Sequence, residues 1–142
     1  MPEKKISLKE AIRFHGHLGP YLVLGILAAE AALKKLKCRK YFGLEVNVFG
    51  ANEKPKSCLI DGLQLASGAT YGKGNINKFS GSRIRIEFKK KKASKRLIFS
   101  LKEELQDQLC ALNGHADSEI FAKKLYCSNY QKLFNLQLTT GE

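Results

Sequence analysis

Two stretches of the chain carry side chains that could do chemistry. The first is Phe14-His15-Gly16-His17-Leu18-Gly19-Pro20, in which two histidines flank a glycine beside a predicted helix start. Imidazoles ligate metals and move protons near neutral pH. A helix N-terminus adds free N–H groups and partial positive charge, which suits an anion. Paired histidines are also common on solvated surfaces, so this stretch alone does not choose between the two readings. The second stretch is Cys58-Leu59-Ile60-Asp61-Gly62-Leu63-Gln64, continuing through Ser67-Gly68-Ala69-Thr70-Tyr71-Gly72-Lys73-Gly74-Asn75. Gly68, Gly72 and Gly74 would let backbone amides close on an anion, with Lys73 as a point charge. The nucleotide-binding P-loop is excluded, because it needs Ser or Thr after the lysine and Gly74 stands there. Cys58 could bind a metal, or act as a nucleophile if its pKa were lowered. Taken alone, such a thiol is more often a small buried hydrophobe.

Both stretches lie at the edges of predicted elements. Ser7 is a good N-cap, and Glu10 completes a capping box. Apolar residues then recur at helical spacing through Ala11, Phe14, Leu18, Leu22, Ala29 and Leu33, interrupted at Gly19-Pro20. Proline is favoured at the first position of a helix and disfavoured inside one. The pattern therefore predicts a short helix to about Phe14, a turn over His15 to Gly19, and a long helix from Pro20 to about Leu36. Gly25, Ala28, Ala29 and Ala32 make a stripe of small residues on that helix, suited either to packing on the chain's own sheet or to a helix pair across a dimer. Leu44 to Val48 alternates as a strand, Glu53 to Lys56 is a polar turn, and Ser57 to Ala66 reads as a helix. Ser67 to Ser80, rich in Gly, Asn and Ser, reads as loop. Ile84, Ile86 and Phe88 form the inward face of a strand that returns over Lys95 to Ser100 as a hairpin. Leu101 to Leu112 is predicted as a helix ended by Asn113-Gly114. A last helix capped by Asp117 or Ser118 runs to about Cys127, and a strand follows through Phe134, Leu136 and Leu138.

The 142 residues fit one domain, 1–142, and 44% hydrophobic with 27% charged residues supports a core and argues against disorder. The formal net charge of +12 attracts polyanions or acidic partners and is concentrated at Lys34 to Lys40 and Lys89 to Arg96. Neither run is joined by the exposed aromatics or reading helix usual in nucleic-acid binders, so a solvated or partner-docking face is expected. Cys38, Cys58, Cys110 and Cys127 are widely spaced with no CxxC, which excludes a zinc ribbon or finger. Cys38, Cys110 and Cys127 are expected to be packing residues, and His115 an exposed loop residue. Met1 to Lys5 runs directly into an amphipathic pattern, so no signal peptide is expected. The apolar stretch Leu18 to Ala29 is too short to span a bilayer. A cytoplasmic protein with reduced thiols is expected, with no membrane partner.

Read together, the two stretches are more specific than either alone. His15-Gly16-His17 with Pro20 and Gly25, then Cys58, Asp61, Gln64, Gly68, Thr70 and Gly72-Lys73-Gly74-Asn75, resembles the signature of the FmdE family of formylmethanofuran dehydrogenase. That signature reads roughly FHGHxCPG, then CxxDxIQxxTGCTxGKGN. The resemblance implies the family's α+β core: a long N-terminal helix packed on a small, mostly antiparallel sheet with additional helices. It implies a homodimer with both motifs gathered in a cleft, and no C-terminal zinc-binding module in this chain. The implied ligand set is His15, His17 and Cys58, holding a divalent transition metal such as zinc. Asp61, Gln64, Thr70, Lys73 and Asn75 would line the cleft or bind an anion. Two family cysteines are replaced, by Gly19 and Ala69, so at most three strong donors remain and a weakly held metal is expected. The implied role is that of an accessory protein to a molybdenum or tungsten enzyme of one-carbon metabolism, in an enzyme complex or with an acidic protein partner. Two other classes stand beside it: a free-standing enzyme using Cys58 with His15 or His17, and a basic nucleic-acid-binding module.

Overall fold

A computed structural model describes residues 5–140 as five helices and one five-stranded mixed sheet, an α+β fold. Met1 to Lys4, on which the expectation of no leader partly rests, lie outside the described residues. The order is α1 (Leu8–His15), α2 (Pro20–Leu36), β1 (Leu44–Phe49), α3 (Cys58–Ser67), β2 (Ile76–Phe79), β3 (Arg85–Lys90), β4 (Lys95–Leu101), α4 (Glu103–Cys110), α5 (Gly114–Tyr126) and β5 (Phe134–Thr140). The strands lie in the order β2-β1-β3-β4-β5. Only β1 and β2 run parallel; the other three pairings are antiparallel.

The core follows from the alternation in the strands and the apolar girth of α2. Leu44, Val46, Val48, Ile86, Phe88, Leu97, Phe99 and Phe134 are buried on one face of the sheet. Phe88, Phe99 and Phe134 meet edge to face, with ring centres 5.3 and 5.4 Å apart. Almost every residue of α2 from Pro20 to Ala32 is buried, the mark of a helix enclosed on all sides. It packs on α3 and α5 and touches β4. Among the described residues no single helix is long and apolar enough to cross a membrane.

The small-residue stripe has a definite use. At Gly25 a Cβ would collide with the Leu59 carbonyl oxygen, and at Gly62 one would collide with the Leu22 carbonyl oxygen. The α2 and α3 backbones therefore cross in contact, glycine against glycine. Gly25, Ala28, Ala29 and Ala32 are all enclosed within the chain, so the stripe serves neither the sheet alone nor a second copy.

Other expectations are corrected as well. The supposed loop Ser67 to Ser80 contains β2, which pairs in parallel with β1 from Ile76 to Phe79. Only Ile76 of that strand is buried, so it lacks the alternation that marks a strand in sequence. Leu101 ends β4, paired with Phe134, and α4 begins at Glu103. Asn113-Gly114 opens α5 instead of closing α4: Asn113 is the N-cap and Gly114, at φ 77°, turns the chain between the two helices. His115 consequently lies in the first turn of α5, exposed as expected but not in a loop. Cys38 is half-buried against the core, whereas Cys110 and Cys127 are exposed and lie outside it.

Candidate metal centre

The histidines are placed by the corner between α1 and α2. Ser7 Oγ accepts the Glu10 N–H at 3.1 Å and Glu10 Oε1 accepts the Ser7 N–H at 3.2 Å, the reciprocal box that starts α1. Upstream of it, Ile6 is moored twice: its N–H donates to Glu30 Oε2 at 2.8 Å, and its carbonyl accepts from Tyr126 Oη at 2.6 Å. Gly16, at φ 106°, ends α1 and donates its N–H to the Ile12 carbonyl. Pro20 opens α2, and the two helix axes meet at 120°. His15 is thus the last residue of α1, and His17 lies in the corner.

Cys58 and Asp61 stand one turn apart on the first turn of α3, on the same face. Asp61 Oδ2 lies 2.6 Å from His15 Nδ1. The carboxylate accepts the Nδ1 proton, which leaves Nε2 as the free donor atom. That Nε2 is buried and has no hydrogen-bond partner among the described residues. The His15 side chain is only 10% exposed, against 38% for Asp61, so the imidazole cannot turn to water for its missing partner. His17 stands beside it, with ring centres 4.6 Å apart. The ligand atoms of His15, His17 and Cys58 all lie within 4.8 Å of one another. Burial pushes the Cys58 thiol up, the Asp61 charge pushes it further, and only Lys54 opposes them. Such surroundings do not make the free thiolate that a nucleophile needs.

One of the two replaced family positions, Gly19, falls beside the cluster. A Cβ at Gly19 would lie 3.5 Å from Cε1 and 3.8 Å from Nδ1 of His17. A side chain at position 19 would therefore face the cluster. Ala69 is buried.

The remaining cleft residues hold the glycine-rich loop together. Asn75 Oδ1 accepts the Thr70 N–H at 2.8 Å, Gln64 Oε1 accepts the Tyr71 N–H at 3.0 Å, and Thr70 Oγ1 accepts the Lys73 N–H at 3.2 Å. The Lys73 ammonium donates to the carbonyl oxygens of Tyr41 at 2.7 Å and Gly68 at 2.5 Å. Gln64, Thr70 and Lys73 also line an open groove of about 470 Å³ with Phe14 and Tyr41. Asn75 lines instead a polar pocket of about 220 Å³ on the outer face of the sheet. Sequence reasoning passed over His115, whose ring centre is 6.3 Å from that of His17, edge on. Nothing local marks it; the approach depends on how α5 packs against α2.

The fold and the cluster together define a class: an α+β protein with a histidine–thiol donor set braced by a carboxylate at a helix corner. The family model described as "FmdE, Molybdenum formylmethanofuran dehydrogenase operon" matches residues 14–138, and the chain belongs to that family. Its fold is like that of a tungsten formylmethanofuran dehydrogenase FmdE-like protein from Syntrophus aciditrophicus. The TM-score is 0.70 at 16% identity, over 95% of this chain and 71% of that one. A protein of Archaeoglobus fulgidus described as "Probable S-adenosyl-L-methionine-binding protein" is 31% identical over 84 residues, 53% of this chain. The chain spans 21% of the length of that relative.

Proposed function

We propose that this chain is a metal-binding accessory protein of the FmdE type that serves a molybdenum or tungsten enzyme of one-carbon metabolism. The observation that carries the metal reading is the buried, unpartnered Nε2 of His15, aimed by Asp61 and clustered with His17 and Cys58. A carboxylate behind an imidazole is the usual outer support of a metal-bound histidine. His15, His17 and Cys58 would hold the ion, and a mixed N and S set suits zinc and similar borderline metals. When bound, such an ion supplies a Lewis-acidic centre and displaces the thiol proton that burial otherwise retains. Family membership supports the link to the enzyme, and the +12 charge supports docking on an acidic surface of a cytoplasmic complex. A homodimer belongs to the same reading, through a surface other than the enclosed stripe of α2.

Cobalt or zinc titration of the purified protein tests the metal. One equivalent should bind with a thiolate-to-metal absorption band that Cys58→Ser abolishes. Wild-type affinity in Cys58→Ser, or no binding by the wild type, would overturn the site. The three donors of the two motifs leave the fourth position to water or to an exposed, displaceable side chain, which marks an exchangeable ion and not a structural one. A strong chelator should therefore lower the thermal midpoint only slightly; a steep fall would show that the metal holds the fold.

A further inference from the structure

We propose that His115 supplies a fourth donor to this centre, from the first turn of α5. The inference rests on the three-donor reading above and adds a residue that neither motif contains. Two imidazoles bound tetrahedrally to one zinc have ring centres about 5 Å apart, since the Zn–N bond is about 2.0 Å and the ring centre lies about 1 Å beyond the nitrogen. The pair His15 and His17, at 4.6 Å, is slightly inside that separation, and the pair His17 and His115, at 6.3 Å, is slightly outside it. Two of the three ring pairs thus lie near that separation; His115 stands outside the group whose ligand atoms already cluster, and joins it by a change of rotamer.

The freedom to close the gap lies in the right residues. His15 is fixed by Asp61, whereas His17 and His115 are exposed and free to change rotamer. Gly114 puts no side chain next to His115, and a Cβ there would meet nothing within 4 Å. The backbone that carries His115 is held in place, because α5 packs on α2 and buries its own Ala122 and Leu125. The donor set becomes three imidazoles and one thiolate, drawn from the α1–α2 corner, α3 and α5. His115 then occupies the position that a bound ligand would have to take, so ligand entry proceeds by its displacement.

Zinc affinity measured by competition with a chromophoric chelator decides the matter, on wild type, His115→Ala, His115→Gln and His115→Cys. The wild type should bind with zinc-dependent shifts of the His115 imidazole NMR signals. His115→Ala and His115→Gln should each lose about tenfold or more in affinity. His115→Cys should recover most of it, which a packing role would not predict. His115 is exposed, so all three variants should keep the wild-type circular dichroism. Wild-type affinity in His115→Ala, with unshifted His115 signals, overturns the fourth donor and leaves the three-donor site standing. Wild-type affinity in Cys58→Ser, or no zinc uptake by the wild type, overturns both.

Discussion

At the scale of single residues, the donors are legible by type and the support for them is not. His15, His17 and Cys58 could be picked out because imidazole and thiol are rare and chemically distinctive. Their meeting was implied by a motif resemblance, not by periodicity. Lys73 read as a point charge for an anion, yet its ammonium serves the carbonyls of Tyr41 and Gly68, a tertiary contact invisible along the chain. His115 was unreadable for the same reason. Gly19 gives the most direct residue-scale prediction. Its backbone, at φ −139° and ψ 158°, is open to any side chain, and its Cβ direction faces His17. Gly19→Cys should supply a soft donor in place of the exposed His115 imidazole and tighten zinc binding by about tenfold or more by chelator competition. Unchanged affinity would mean that position 19 does not reach the ion.

At the scale of elements, most boundaries were readable where capping or alternation was strong. The Ser7–Glu10 box, the Gly19-Pro20 break and the inward row Ile84, Ile86 and Phe88 all appear where the sequence puts them. β2 was lost because an edge strand with one buried residue has no pattern. Asn113-Gly114 misled because Asn suits a helix start as well as an end. The Gly25–Gly62 crossing yields a stability prediction. Gly25→Ala should destabilise by about 2 kcal/mol or more in urea unfolding, since overpacking at a backbone contact outweighs the helix propensity gained. A stabilised variant would show that the helices can part without loss. Glu30 on α2 adds a pH dependence. Burial raises its pKa above the ordinary 4.5, outweighing the Ile6 N–H, Lys5 and Lys40. Because the folded state holds that proton more tightly, the Glu30 contribution to stability falls as pH rises from about 4.5 through the folded value. Glu30→Gln should therefore flatten the stability–pH curve above that point, and an unchanged slope would count against the assignment.

At the scale of the whole molecule, the two basic runs meet at one end of the sheet. The β3–β4 hairpin brings Lys90 opposite Leu44, and the Lys91 N–H donates to the Gly43 carbonyl at 3.1 Å, next to the Lys34 to Lys40 segment. The ion pairs among the described residues involve Arg83, Arg85, Arg96 and Lys123, besides the contact of His15 with Asp61. The Lys34–Lys40 and Lys90–Lys92 cations thus crowd one end, and none of them enters an ion pair among the described residues. The sequence showed both runs but not their convergence, which depends on sheet register. Like charges so placed repel, and salt screens them with a Debye length of about 10 Å at 0.1 M. The thermal midpoint should rise with sodium chloride between about 0.02 and 0.3 M. A fall would mean that the few ion pairs outweigh the repulsion.

The double mooring of Ile6 has a kinetic consequence. Glu30 and Tyr126 grip the length of chain that leads into α1, and α1 carries His15 at its far end. Letting go of Ile6, together with the Asp61 contact, frees α1 to swing, and the imidazole leaves the corner with it. The escape of an ion from the centre and the deuteration of the Ile6 amide then become two readings of a single opening event, sharing one rate and one dependence on temperature.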